Sequence, residues 1–278
     1  MNPTRPQRVV GVCSWSLQPG SVAELIRDVQ ALGLSAVQLA LDPLRDGSWP
    51  ADHTAEQLRA AGIAIRSGML TTVGEDYSAL ASIRQTGGLR PDVHWATNLE
   101  RAQKSAGLAR RLGLPLVTLH AGFLPPDSND PLHRTMIERL GTLAAVFDAQ
   151  GIWLGLETGQ ESAETLLATI GALGAPNVGV NFDPANMVLY GMGDPIAAFR
   201  RLAPHVVQIH IKDARPATES GNWGEEVVVG AGAVDWPRFF AALAESGLPC
   251  DLMIEREAGT QRCADIGVAR DIVRRWTC

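Results

Sequence analysis

The sequence predicts an α/β protein, a single (β/α)8 TIM barrel over residues 1–278, on three observations. Short apolar segments and helix-patterned segments alternate eight times along the chain. Each crossover is helical, which demands parallel strands, and the near-continuous apolar character of the strands fits burial on both faces. No composition break or linker interrupts the alternation, and no strand runs into a G-x-G-x-x-G turn, the feature that would favour an open, doubly wound sheet. Eight such units close most economically as a barrel.

In order, Arg8 to Cys13 reads as a first strand running into Ser14-Trp15-Ser16. Ser21 to Leu32 has helical spacing, with Ser21 as N-cap, Glu24 three residues on as in a capping box, and Gly33 as the stop. Ala36 to Ala40 is the second strand, His53 to Ala61 a short helix and Ile63 to Met69 the third strand. A polar, glycine-bearing loop from Thr71 to Asp92 precedes a long helix, His94 to Leu112, and the fourth strand, Leu116 to His120. After Pro125-Pro126-Asp127 come a helix from Leu132 to Gln150, a fifth strand from Trp153 to Glu157 and a helix from Ser162 to Leu173. The sixth strand, from Val178, breaks at Asp183-Pro184, where proline withdraws a ladder donor. A helix from Pro195 to Leu202 leads to the seventh strand, Val206 to Ile211. A long loop follows with Trp223 and the glycine turn Gly230-Ala-Gly232, which is not read as a phosphate loop. The helix Trp236 to Ser246, the eighth strand Asp251 to Ile254 and a helix from Ala264 to Trp276 complete the chain.

Bulk properties narrow the function. A hydrophobic content of 46% and a mean hydropathy near zero describe a globule with ample core. The net charge of −6 offers no basic face for nucleic acid. No apolar run reaches the length of a membrane span, and the amino terminus lacks the apolar core and cleavage site of a signal peptide. Cys13, Cys250, Cys263 and Cys278 show no C-x-x-C spacing and are read as reduced thiols of a cytoplasmic protein.

Four consecutive strands end in a metal-ligand residue: Glu157, Asp183, His210 and Glu255. A charge at the end of a buried strand is costly unless something pairs with it. In a barrel these ends converge on one mouth, where active sites lie. Taken singly, Glu157 could cap the next helix, His210 could be a satisfied core histidine and Glu255 could pair with Arg256 or Arg262. Together, three carboxylates and an imidazole form a hard site for one divalent ion, Mn²⁺ or Mg²⁺ by preference, with Co²⁺, Zn²⁺ or Fe²⁺ admissible.

The segments HAGF (120–123), LETG (156–159), NFDPANM (181–187), HIKDA (210–214), GAGAVDW (230–236) and IERE (254–257) resemble the xylose-isomerase-like TIM-barrel superfamily. Within it they are similar to the sugar phosphate isomerase/epimerase group, which includes ketose 3-epimerases, hydroxypyruvate isomerases and inosose dehydratases; endonuclease IV type nucleases are more distant relatives. The resemblance covers nearly the whole chain and implies that Glu157, Asp183, His210 and Glu255 bind the metal, with Glu157 and Glu255 on opposite faces of the substrate as acid/base groups. It implies proton transfer through a metal-stabilised enediolate of a small sugar or keto-sugar: isomerisation or epimerisation, alternatively a lyase reaction that expels water. A phosphodiesterase and a non-catalytic sugar-binding barrel rank below. One departure stands out: the D-x-x-H of the epimerase and nuclease relatives is Asp183-Pro-Ala-Asn186 here. Asparagine can bond a hydroxyl but is a poor metal ligand, which weakens a multinuclear site. His120 matches a histidine at the mouth of many relatives. Lys212 and Arg215 could neutralise a carboxylate, a phosphate or the enediolate, or form a surface pair with Asp213 or Glu219. Trp15 and Trp223 could supply an apolar wall for a sugar. The expected partner is a small-molecule sugar, with no nucleic acid and no membrane; whether copies associate into a homo-oligomer is left open.

Overall fold

The computed structural model describes residues 8–219 and 221–277. Its strands are β1 (Val10–Cys13), β2 (Ala36–Ala40), β3 (Ala64–Met69), β4 (Leu116–Leu119), β5 (Trp153–Glu157), β6 (Val178–Phe182), β7 (Val206–Ile211), β8 (Asp213–Arg215), β9 (Glu225–Val227) and β10 (Asp251–Ile254). All but β8 and β9 are parallel to their neighbours and close a barrel in the order β1-β10-β7-β6-β5-β4-β3-β2. The (β/α)8 expectation therefore holds.

The helices begin where local chemistry starts them. The Ser21 side chain accepts from the Glu24 N–H, and Asp130, Ser162, Asp194 and Asp235 cap their helices in the same way. Gly33 follows the first helix with φ +63°, a left-handed turn that glycine adopts without strain.

Alternation along the strands assigns their faces. Phe182 sits outward against Phe199 and Phe239 of the surrounding helices, with ring centroids 5.3 and 6.0 Å away. Asn181 and Asp183 consequently point into the barrel. Burying one such phenylalanine contributes about 1.5–3 kcal/mol, so the layer between strands and helices holds the cylinder together and frees its interior for polar groups.

Several boundaries differ from expectation. The loop from Thr71 contains a helix, Leu80–Thr86, and the long helix starts at Asp92. Asp183-Pro184 ends β6 but also starts a short helix, Pro184–Leu189, because proline at the first helical position lacks only a donor that would be orphaned there. The loop after β7 folds into the antiparallel pair β8–β9, whose three-residue strands are too short to read from a pattern. Cys13 and Cys250 are buried free thiols and Cys263 an exposed one; Cys278 lies outside the described residues. Among the described residues no helix is long and apolar enough to cross a membrane.

Candidate metal centre and substrate cavity

The strand ends bring Glu157, Asp183, His210 and Glu255 together: one ligand atom from each lies within 4.8 Å of the others, and all four residues are buried. His210 Nδ1 stands 3.3 Å from Glu157 Oε1, 3.4 Å from Glu255 Oε2 and 3.9 Å from Asp183 Oδ2. Two of the single-residue alternatives, the Glu157 cap and the Glu255–Arg256 pair, do not apply. Ser162, not Glu157, caps the next helix, and Arg256 bonds Glu226 and Asp265 rather than Glu255.

The donor set fits a cation. Asp183 Oδ1 accepts from the N–H groups of Ala185 and Asn186, which starts the short helix and turns Oδ2 toward the cluster. Asp183 Oδ2 and His210 Nδ1 are then buried atoms without a hydrogen-bond partner. Buried polar atoms are satisfied as a rule, and two unpartnered atoms facing one another among carboxylates are an arrangement that a cation would satisfy.

The charges interact strongly. Burial pushes the Asp183 carboxyl up to about 7 against the pull of Lys212. Burial opposes ionisation of Glu255 too, but Lys212 and His210 hold it well below the usual carboxylate range. Glu157 is likewise lowered, His120 and His210 outweighing its burial.

Lys212 is buried, not a surface ion pair. Its ammonium donates to Glu255 Oε2 at 3.0 Å, Glu257 Oε2 at 2.6 Å and Asn186 Oδ1 at 3.2 Å. Asn186 in turn donates to Glu157 Oε1 at 3.0 Å, so it joins the two glutamates through Lys212. Gly159 of the LETG segment has φ +137°, and a Cβ there would come within 2.5 Å of Asn186 Cβ; glycine lets the β5 turn approach. Trp15 donates from Nε1 to Glu255 Oε1 at 2.8 Å, and His120 Nε2 lies 3.5 Å from Glu157 Oε1.

Above the cluster lies a cavity of about 410 Å³ whose walls include Trp15, His120, Asn186, Lys212, Trp223 and Glu255. Tyr77, Tyr190 and Trp223 form its aromatic side: Trp223 is 6.4 Å from Tyr77, nearly parallel to it, and meets Tyr190 edge-on at 4.9 Å. Glu75, Glu226 and Glu257 also line it. The loops supplying Glu75, Tyr77 and Tyr190 show no pattern that marks them in sequence, and Glu257, although inside the IERE segment, carried no expectation of its own. Arg215 does not reach this cavity. Its half-exposed guanidinium lies on β8, bonded to the Ala231 carbonyl and 3.7 Å from Glu225, because the chain turns outward into the hairpin after Lys212.

Asp213, also offered as a surface partner, is fully buried. It accepts from the N–H groups of Gly230, Gly232 and Val234 and from Trp236 Nε1. A Cβ on Gly232 would fall 2.0 Å from Asp213 Oδ1, so the glycine turn is a wrap around this carboxylate.

A xylose isomerase domain protein from Planctomyces limnophilus is 31% identical and superposes with a TM-score of 0.88 over 99% of this chain and 98% of that one. An L-ribulose 3-epimerase is similar in fold at 19% identity and TM-score 0.73, over 97% of this chain and 94% of that one. So is a xylose isomerase-like TIM barrel protein from Mycobacterium smegmatis in complex with magnesium, at 19% identity and TM-score 0.67, over 99% and 97%. No curated protein matches. The family described as xylose isomerase-like TIM barrel matches residues 26–275, and the chain belongs to it.

Proposed function

We propose that the protein is a divalent-metal-dependent isomerase or epimerase of a small, uncharged sugar or keto-sugar. The observation that carries this reading is the pair Glu157 and Glu255, each 3.3–3.4 Å from His210 Nδ1, Glu157 held by the amides of Asn181 and Asn186 and Glu255 by the Trp15 indole and the Lys212 ammonium. Glu157, Asp183, His210 and Glu255 would hold the ion, which draws electron density from an adjacent hydroxyl and carbonyl and acidifies the C–H between them.

The chain supplies the proton transfers. One glutamate of the pair removes the carbon-bound proton and the other returns one. Return to the same carbon from the opposite face inverts it, and return to the neighbouring carbon isomerises the sugar. Asn186 and Asn181 fix Glu157 through amide N–H groups at 3.0 and 3.2 Å. Trp15 and Lys212 fix Glu255 from two sides. His120 and the Tyr77–Tyr190–Trp223 wall offer polar and apolar contacts to a bound ring or chain. Four glutamates line the cavity against the single ammonium of Lys212, a balance that favours hydroxyls over phosphate or carboxylate.

The test is solvent-deuterium exchange into a panel of ketoses and inososes, followed by NMR with Mn²⁺ or Mg²⁺ present. Exchange at the carbon beside a carbonyl, abolished by a chelator and restored by the ion, is the expected result. Absence of exchange into every member with the ion bound would overturn the reading.

A further inference from the structure

Beneath the metal ligands the barrel interior is a hydrogen-bonded floor rather than an apolar layer. Gln38 of β2, Ser67 of β3, Thr118 of β4, Asn181 of β6 and Gln208 of β7 are buried there and bonded to one another. Both register shifts in the barrel ladder fall at this level, between Val37 and Gln38 and between Val180 and Asn181. Such irregularities re-aim side chains.

The direction of every bond in the floor follows from Glu157, because a carboxylate only accepts. Asn181 must present its NH₂ to Glu157 Oε2 at 3.2 Å, so its carbonyl oxygen faces Gln208. Gln208 therefore presents its NH₂ to Asn181 and, at 2.9 Å, to Gln38. Gln38 must then offer its carbonyl oxygen, while its own NH₂ reaches Thr118 Oγ1 at 2.8 Å, whose hydroxyl donates onward to Met69 Sδ. That same Gln38 oxygen lies 2.7 Å from His210 Nε2.

We propose that Gln38 is a positioning residue for the metal centre: its carbonyl oxygen holds the Nε2 proton of His210 and leaves Nδ1 as the lone pair aimed at Glu157, Asp183 and Glu255. Asn181 Nδ2 also lies 3.0 Å from Nε2. The opposite tautomer, with Nε2 accepting from Asn181, would set its lone pair against that of Gln38 at the shorter distance. The proton therefore sits on Nε2. A ligating histidine is commonly fixed through its other nitrogen in this way. Here the fixing group comes from β2, and its polarity is set by the very carboxylate that shares the metal.

The proposal rests on the metal site described above, and the experiment separates the two. Mn²⁺ binding is measured by calorimetry on wild type, Gln38→Met, which keeps the volume and loses the acceptor, and Gln38→Glu, which keeps an acceptor. Thermal unfolding of each metal-free protein serves as the folding control. Gln38→Met is expected to bind Mn²⁺ about 10–100-fold more weakly, and Gln38→Glu within a few-fold of wild type. Nitrogen-15 spectra of the Mg²⁺-loaded wild type are expected to show His210 protonated at Nε2; they decide the matter even if Gln38→Met does not fold. A proton on Nδ1, or unchanged Mn²⁺ affinity in folded Gln38→Met, would overturn the role of Gln38 and leave the metal site standing. A wild type that binds no Mn²⁺ would overturn both.

Discussion

Lys212 Nζ sits 3.0 Å from Glu255 Oε2, with both side chains 3% exposed, so one wall of the site is a buried ion pair. Such a pair is costly to break from one side, because the survivor is left as an unpaired buried charge. In the metal-free protein Lys212→Met should lower unfolding free energy by about 3–5 kcal/mol. Saturating Mn²⁺, which supplies positive charge to Glu255 and Asp183, should recover a large part of that loss. Urea unfolding with and without the ion reads both effects; equal losses in the two conditions would contradict the picture.

Glu157→Gln and Glu255→Gln should each reduce turnover of the true substrate by at least about 10²-fold, the scale of general acid–base contributions. Circular dichroism should be unchanged. A variant of either with near-native kcat would remove that residue from the proton-transfer pair.

Glu161 provides a pH signature for folding. Burial pushes its carboxyl up to about 8. The folded chain then holds a proton that the unfolded chain has released above its ordinary range near 4.5. Stability from this group is therefore full at acid pH, falls by at most about 1.4 kcal/mol per pH unit as pH rises between about 4.5 and 8, and is flat above. Glu161→Gln should remove that slope and raise the melting temperature at pH 8 relative to wild type. Differential scanning calorimetry across the window reports the sign, and parallel curves for the two proteins would refute it.

Asp213 receives four bonds from the turn and helix that follow it, from Gly230, Gly232, Val234 and Trp236. Asp213→Ala leaves those donors buried and unmatched, with an expected loss of about 3 kcal/mol. Equilibrium unfolding measures it, and a loss below about 1 kcal/mol would mean that water replaces the carboxylate without difficulty.

The cluster of candidate ligands was readable because barrel topology turns strand ends into neighbours. The floor beneath it was not read from the sequence, although the same alternation carries it: Asn181 and Gln208 stand two residues before Asp183 and His210 and share their faces, and Gln38 interrupts the apolar run AVQLA. Lys212 shows where periodicity was a better guide than sequence neighbours. It stands two residues after His210, so alternation alone would face its ammonium into the barrel, where it lies. Its neighbours in sequence, Asp213 and Glu219, suggested a surface pair instead, and Arg215 is carried away because β7 ends at Ile211 and the chain turns into β8. Asn186 was legible as a departure from a histidine, yet its bonds to Glu157 and Lys212 depend on the helix that Asp183 starts, which is too short to show a pattern.

Glu226 lies on β9, and its carboxylate takes the N–H groups of Glu257 and Ala258 and pairs with Arg256. The arm that grows from β7 is thus latched onto the segment leaving β10, and the mouth has one fixed jaw. Facing it, the segment after β3 carries Glu75 and Tyr77 and meets the arm through the ring of Trp223. An aromatic contact of this kind breaks far more readily than a set of charged bonds. The mouth is therefore least firmly joined where Trp223 meets Tyr77, and an opening there would leave the jaw that bears Lys212, Glu255 and Glu257 with its charged bonds intact.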